Sequence, residues 1–96
     1  MSFADPKKNI EELVIGEEMK VIDIGAGSGA YTFAAAEVAR GGKVYACDIQ
    51  KDLLTKLKTE ANKRRINNIE TIWADVDEPR GTRLADNSMD RAIISN

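Results

Sequence analysis

The residues with a chemical use gather between positions 19 and 37, MKVIDIGAGSGAYTFAAAE. A short apolar run carries Asp23 near its end, glycines follow at 25, 27 and 29, and an alanine-rich stretch comes next. Glycine lets a backbone turn tightly and approach a ligand closely, while the first turn of a following helix presents N–H groups without helical partners. That is a cradle for a nucleotide-like cofactor. Residues 25–30, GAGSGA, even satisfy the G-x-G-x-x-A pattern of dinucleotide sites. No Gly-Lys-Ser/Thr follows, so a P-loop is excluded. Asp48 closes a second apolar run, 19 positions after Gly29. A carboxylate there faces the same crevice and can accept hydrogen bonds from both hydroxyls of a ribose. Asp75 repeats the arrangement after a third run. Each feature alone has a plain structural counterpart, a tight strand-to-helix junction for the glycines and a turn residue for the acids. Their combination, in this order, points to a cofactor.

Composition narrows the chemistry further. The chain has no histidine, which removes the commonest general base and zinc ligand and excludes histidine-based hydrolysis. The single cysteine, Cys47, excludes an intrachain disulfide and a CxxC metal site, and no metal site is expected. Within the run VYACDI it reads as a buried free thiol in a reducing compartment. Ninety-six residues allow one domain, and 43% hydrophobic against 31% charged residues is ordinary globular chemistry. A net charge of −2 argues against general nucleic-acid binding. No apolar run approaches the roughly 20 residues that span a bilayer, and no charged-then-apolar leader opens the chain. A soluble, cytoplasmic protein is expected.

Alternating strands and helices must position these groups. Asp5-Pro6 has the form of an N-cap with proline at the first helical position; Ile10, Leu13 and Val14 follow at helical spacing, and Gly16 is the stop. Lys20–Ile24 reads as a buried strand. The spacing predicts a helix over 28–40, with Phe33, Ala34 and Val38 toward the sheet, ended by Gly41-Gly42. Lys43–Asp48 is the second strand. A second long helix spans 51–65, with Leu53, Leu54, Leu57 and Ala61 as its apolar stripe. Lys63, Arg64 and Arg65 in its last turn suit the helix dipole better than a nucleic-acid patch. Asn67-Asn68 turns into a third strand over 70–74. A polar connection over 75–89, with one weak helical turn, leads to a fourth strand over 90–95.

Such alternation implies right-handed βαβ units and a parallel sheet in the order 3-2-1-4, with the acids at its carboxyl edge. The two long helices follow consecutive strands and share one face, so the other face receives only the 75–89 connection. A parallel sheet needs cover on both sides. One side is therefore expected to be underdressed.

VIDIGAGSGAYT, VYACDIQKDLL, IWADV and DNSMDRAIISN, in that order and at that spacing, resemble successive motifs of the class I S-adenosylmethionine-dependent methyltransferases. The resemblance runs from about Phe3 to Asn96 and implies a Rossmann-like α/β fold. It implies S-adenosylmethionine as cofactor and methyl transfer to an acceptor the motifs do not identify. By the same resemblance, Asp23 helps hold the methionine end through its ammonium group, and Gly25, Gly27 and Gly29 wrap the cofactor. Asp48 matches the ribose acid and Ile49 the apolar residue against adenine. Asp75 matches the acceptor for the adenine amino group, with Val76 beside it. Asn96 falls where the fourth strand opens toward the reacting methyl.

A nicotinamide dinucleotide binder is the rival on the same fold. Against it, the glycines run G-x-G-x-G, and Asp23 places a carboxylate where a pyrophosphate would need none. A folded but inert scaffold, or an interaction module using a bare strand edge, are the readings of another class. Family members continue for three more strands, which carry much of the acceptor pocket, so residues 1–96 are expected to be the cofactor-binding half of the domain. Strand four, with Ala92, Ile93 and Ile94, would then be an exposed edge. Self-association as a homodimer, through that edge or the bare face, is the corresponding expectation.

Overall fold

The computed structural model describes residues 6–74 and 89–94. Three helices, α1 (Pro6–Glu12), α2 (Ala30–Val38) and α3 (Lys51–Lys63), alternate with strands β1 (Lys20–Ile24), β2 (Lys43–Asp48), β3 (Ile69–Trp73) and β4 (Arg91–Ile94). The strands form one parallel sheet in the expected order, β3-β2-β1-β4. The N-cap role of Asp5 and the 75–88 part of the connection lie outside the described residues. Among the described residues no helix is long and apolar enough to cross a membrane.

Strand alternation divides the core. Val21, Val44 and Ile93 point to the side where Ile10 of α1 and Ala34, Ala35 and Ala36 of α2 cover them. Ala46 joins Phe33 of α2 with Leu57 and Ala61 of α3 on that same side. The residues between them in sequence, Ile22 and Cys47, pack on the opposite side with Ala74, Ile24, Tyr45, Ile72 and Met89. All three helices thus dress one face, and Ile94 on the other is 74% exposed.

Helix ends depart from the sequence reading. Ser28 and Gly29 belong to the turn, with Gly29 at φ 91°, so α2 begins at Ala30. Val38, expected to face the sheet, is exposed, while Thr32 to Ala36 are all buried. Small alanines let α2 lie close to several partners at once, and a single apolar stripe fails to describe it. The first helix stops at Glu12, short of Gly16, because Val14 takes a left-handed φ of 52°. Val14 is thereby thrown outward, and Ile15 returns to the core. A β-branched residue at positive φ is strained. Arg91 of β4 sits at this end, donating from Nε to the Leu13 carbonyl at 2.9 Å.

Arg65 ends α3 in the same way, at φ 57°. Its N–H bonds the Asn62 carbonyl at 3.1 Å, and the Ile66 N–H reaches back to Ala61 at 2.9 Å. Ile66 then packs on the cluster holding Leu57 and Ala61, the apolar contact that accompanies such caps. Gly42 is required for a different reason: a Cβ there would lie 1.9 Å from the Met19 carbonyl oxygen.

Asn68 has more to do than turn the chain. Buried before β3, its side-chain amide donates to the carbonyls of Ala36 (3.1 Å) and Ala39 (2.8 Å), capping the C-terminus of α2. Asn68→Ala removes donors from two buried carbonyls and should lower stability by about 1–3 kcal/mol. A denaturant midpoint equal to the parent's, with an unchanged slope, would refute this role for the side chain.

Candidate functional site

The parallel register pairs Ile24 with Cys47, so the chain leaves β1 beside the last residue of β2. The N–H groups of Gly25 and Ala26 both donate to the Cys47 carbonyl, at 2.9 and 3.0 Å. Gly29 N–H closes the turn on the Ala26 carbonyl at 2.9 Å, and Phe33 N–H starts the helix on Gly29 at 2.8 Å. Gly25, Gly27 and Gly29 all have positive φ, at 74°, 56° and 91°. The sequence marked all three, and the backbone conformation supplies the reason.

The space around them separates two purposes. A Cβ on Gly29 would lie 2.9 Å from Leu57 Cδ1 and 3.0 Å from Phe33 Cε2. Gly29 therefore lets the start of α2 pack directly on α3. A Cβ on Gly27 would meet only the Gly25 oxygen, at 3.9 Å. Room is left above Gly27.

Asp48 organises the mouth. One carboxylate oxygen accepts from Gly27 N–H at 2.9 Å and the other from Gln50 N–H at 2.8 Å. The side chain is 8% exposed, at the surface of the crevice. Asp23 sits deeper, fully buried on the helical side of β1, where its carboxylate accepts from Thr32 Oγ at 2.7 Å. Thr32 escaped the sequence reading; a lone hydroxyl among the alanines of a buried helix face was the available signal.

Ile49 is largely exposed beside Asp48, and its carbonyl accepts from the indole Nε1 of Trp73 at 2.7 Å. The Ala74 N–H donates to the Asp48 carbonyl at 3.2 Å, carrying the β2–β3 ladder to the strand ends. Asp75, Val76 and Asn96 lie outside the described residues. Cys47 is buried on the other side of the sheet, as expected of a free thiol. Burial pushes its thiol pKa up, with the Asp48 and Asp23 charges adding to the effect. A neutral, inaccessible thiol is no nucleophile. Of the basic cluster, Arg64 is used structurally: it pairs with Glu60 at 2.7 Å and stacks 4.2 Å over the Phe33 ring. Among the described residues no group of three or more metal-ligating side chains converges.

The comparisons with known proteins agree with this geometry. A family model described as a methyltransferase domain matches residues 15–96. The chain is 39% identical over 72 residues to aklanonic acid methyltransferase of Streptomyces sp. (strain C5), which is 74% of this chain and 32% of that protein. It resembles the crystal structure of a SAM-dependent methyltransferase from Aquifex aeolicus with a TM-score of 0.80 at 30% identity, covering 92% of this chain and 46% of that one. Coclaurine N-methyltransferase, bound to N-methylheliamine and SAH, matches with a TM-score of 0.79 at 24% identity over 93% of this chain and 25% of that one, a likeness of fold. The chain thus spans about a third of the curated relative and under half of these structures. With its glycine loop, strand order and Asp48 in place, the chain belongs to the methyltransferase-domain family and resembles its class I, S-adenosylmethionine-dependent members.

Proposed function

We propose that the chain binds S-adenosylmethionine at the carboxyl ends of β1 and β2, as the cofactor-binding part of a methyltransferase. The observation that carries this is the Asp48 carboxylate, preset by two backbone N–H groups at the mouth of the glycine loop. Each of its oxygens accepts one bond from the protein and keeps a further lone pair for a ribose hydroxyl. The residues fit the rest of the group as well. The open space at Gly27 admits close approach of the methionine portion, and the buried Asp23 charge beneath the loop favours a cationic ammonium. The same buried carboxylate, close to the glycine loop, disfavours a pyrophosphate and with it a dinucleotide.

In this reading Gly25, Gly27 and Gly29 wrap the cofactor, Asp48 holds the ribose and Ile49 packs on adenine. Asp75 accepts from the adenine amino group with Val76 adjacent, and Asn96 lies toward the transferred methyl. When bound, the cofactor supplies a methyl on a sulfonium sulfur, which passes to a nucleophilic acceptor and leaves S-adenosylhomocysteine. The chain's own contribution is to bind, orient and keep water from that centre. A cytoplasmic location belongs to the same reading, supported by the free thiol of Cys47.

Calorimetric titration tests the proposal. Both S-adenosylmethionine and S-adenosylhomocysteine should bind, and Asp48→Asn should weaken both by roughly 10- to 100-fold, since bonds to a charged acceptor are at stake. No heat with the parent protein would leave an inert scaffold as the better reading. An Asp48→Asn variant that binds like the parent would remove Asp48 from the site. Self-association is the second part of the proposal, supported by the sheet face that no described helix covers and by exposed Ile94 and Ala92 at its edge strand. Sedimentation should show a dimer as protein concentration rises; a folded monomer throughout would refute it.

A further inference from the structure

We propose that Trp73 is a positioning residue for the adenosine half of the cofactor, its indole N–H holding the turn that carries Asp48 and Ile49. The inference rests on the cofactor reading above.

Trp73 is the only tryptophan of the chain and is 62% exposed. Most of the ring stays in water, so apolar burial does not explain its place at the end of β3. Among the described residues, its hydrogen bond and its cation–π contact go to the turn between β2 and α3 and to the first residue of α3. Nε1 donates to the Ile49 carbonyl at 2.7 Å, and the Lys51 ammonium lies 5.2 Å over the ring centroid. Ile49 is itself 59% exposed, so no core contact fixes the direction of its side chain. Its carbonyl falls between two regular patterns. The preceding carbonyl, of Asp48, continues the ladder to Ala74, and the following one, of Gln50, accepts from Leu53 and Leu54 in the first turn of α3. The Trp73 N–H supplies a fixed partner where neither pattern does.

The consequence is geometric. Two cross-ties, Ala74 N–H to Asp48 and Trp73 N–H to Ile49, join the ends of β2 and β3. Between them they fix the peptide planes on both sides of the Ile49 Cα, hence the direction of the Ile49 side chain. They also hold the Asp48 backbone from which the carboxylate reaches Gly27 and Gln50. A ring lying on Ile49 with its ribose on Asp48 meets a surface already set, and binding then costs little ordering of the turn. The Lys51 ammonium over the indole ties the ring to the start of α3 as well.

The test removes the N–H and keeps the ring. Trp73→Phe and a chain carrying benzothienylalanine at 73, in which sulfur replaces the indole N–H, are compared with the parent protein. Melting temperatures should stay close to the parent's, because the ring is mostly exposed. Amide hydrogen exchange at Gln50, measured without ligand, should be faster in both variants. Dissociation constants for S-adenosylhomocysteine and for adenosine should rise together, by a common factor of roughly three to ten. Parent-like exchange at Gln50 in the benzothienylalanine protein overturns the clamp, whether or not any cofactor binds. Faster exchange with unchanged affinity for both ligands overturns its role in binding. Failure of the parent to bind either ligand removes the cofactor reading, and this role falls with it.

Discussion

A single carboxylate, that of Asp48, joins the two βα turns on which the site depends. Its oxygens accept from Gly27 in the turn after β1 and from Gln50 in the turn after β2. Charge-assisted bonds of this kind are stronger than neutral ones, and their geometry is set by backbone. The arrangement is possible because the parallel register brings Gly25 and Ala26 onto the Cys47 carbonyl, immediately before Asp48. Sheet register thus becomes site geometry without help from a flexible cation.

The helix that follows the glycine loop is held at both ends by later parts of the chain. At its start, Gly29 leaves space for Leu57 of α3, and Arg64 at the far end of α3 stacks on Phe33. At its finish, Asn68 caps the carbonyls of Ala36 and Ala39. Beneath it, Thr32 donates to the buried Asp23. Every one of these contacts fixes α2 relative to the sheet, and the loop feeding α2 inherits that fixity. Small residues are the enabling feature: Ala34, Ala35 and Ala36 let the helix sit close enough for them to form.

Strands β1 and β2 were legible to the residue, since each is a short, largely apolar run bounded by turn residues. The three glycines and Asp48 were legible for a related reason, their chemistry being local to a turn. What escaped depends on partners far along the chain. Val14 and Arg65 end their helices in the left-handed conformation that a sequence reading assigns to glycine. Arg91, Ile66 and the carbonyls they meet stand at those ends, none of them visible from the residue itself. Val38 was misplaced because α2 is buried over five consecutive positions, which no single-stripe pattern describes. The side-chain roles of Thr32, Asn68 and Trp73 are not visible locally because their partners lie 9, 29 to 32 and 24 residues away.

The position of the site follows from strand order more than from any one motif. The chain moves from β1 outward through β2 to β3, then returns to pair β4 on the other side of β1. In parallel sheets of this order, ligands bind outside the carboxyl ends of the strands, at the point where the strand order reverses beside β1. Asp23, at the centre of that sheet, pairs in register with Ala46 on one side and Ile93 on the other, and is sealed from water. Asp48, one strand outward and at its strand's last position, is buried but slightly more accessible, 8% against none for Asp23. The same residue type so takes two structural places: Asp23 accepts from Thr32 inside the core, and Asp48 ties the glycine loop to the turn after β2. Between them, Gly27 leaves room at the loop, a Cβ there meeting only the Gly25 oxygen at 3.9 Å.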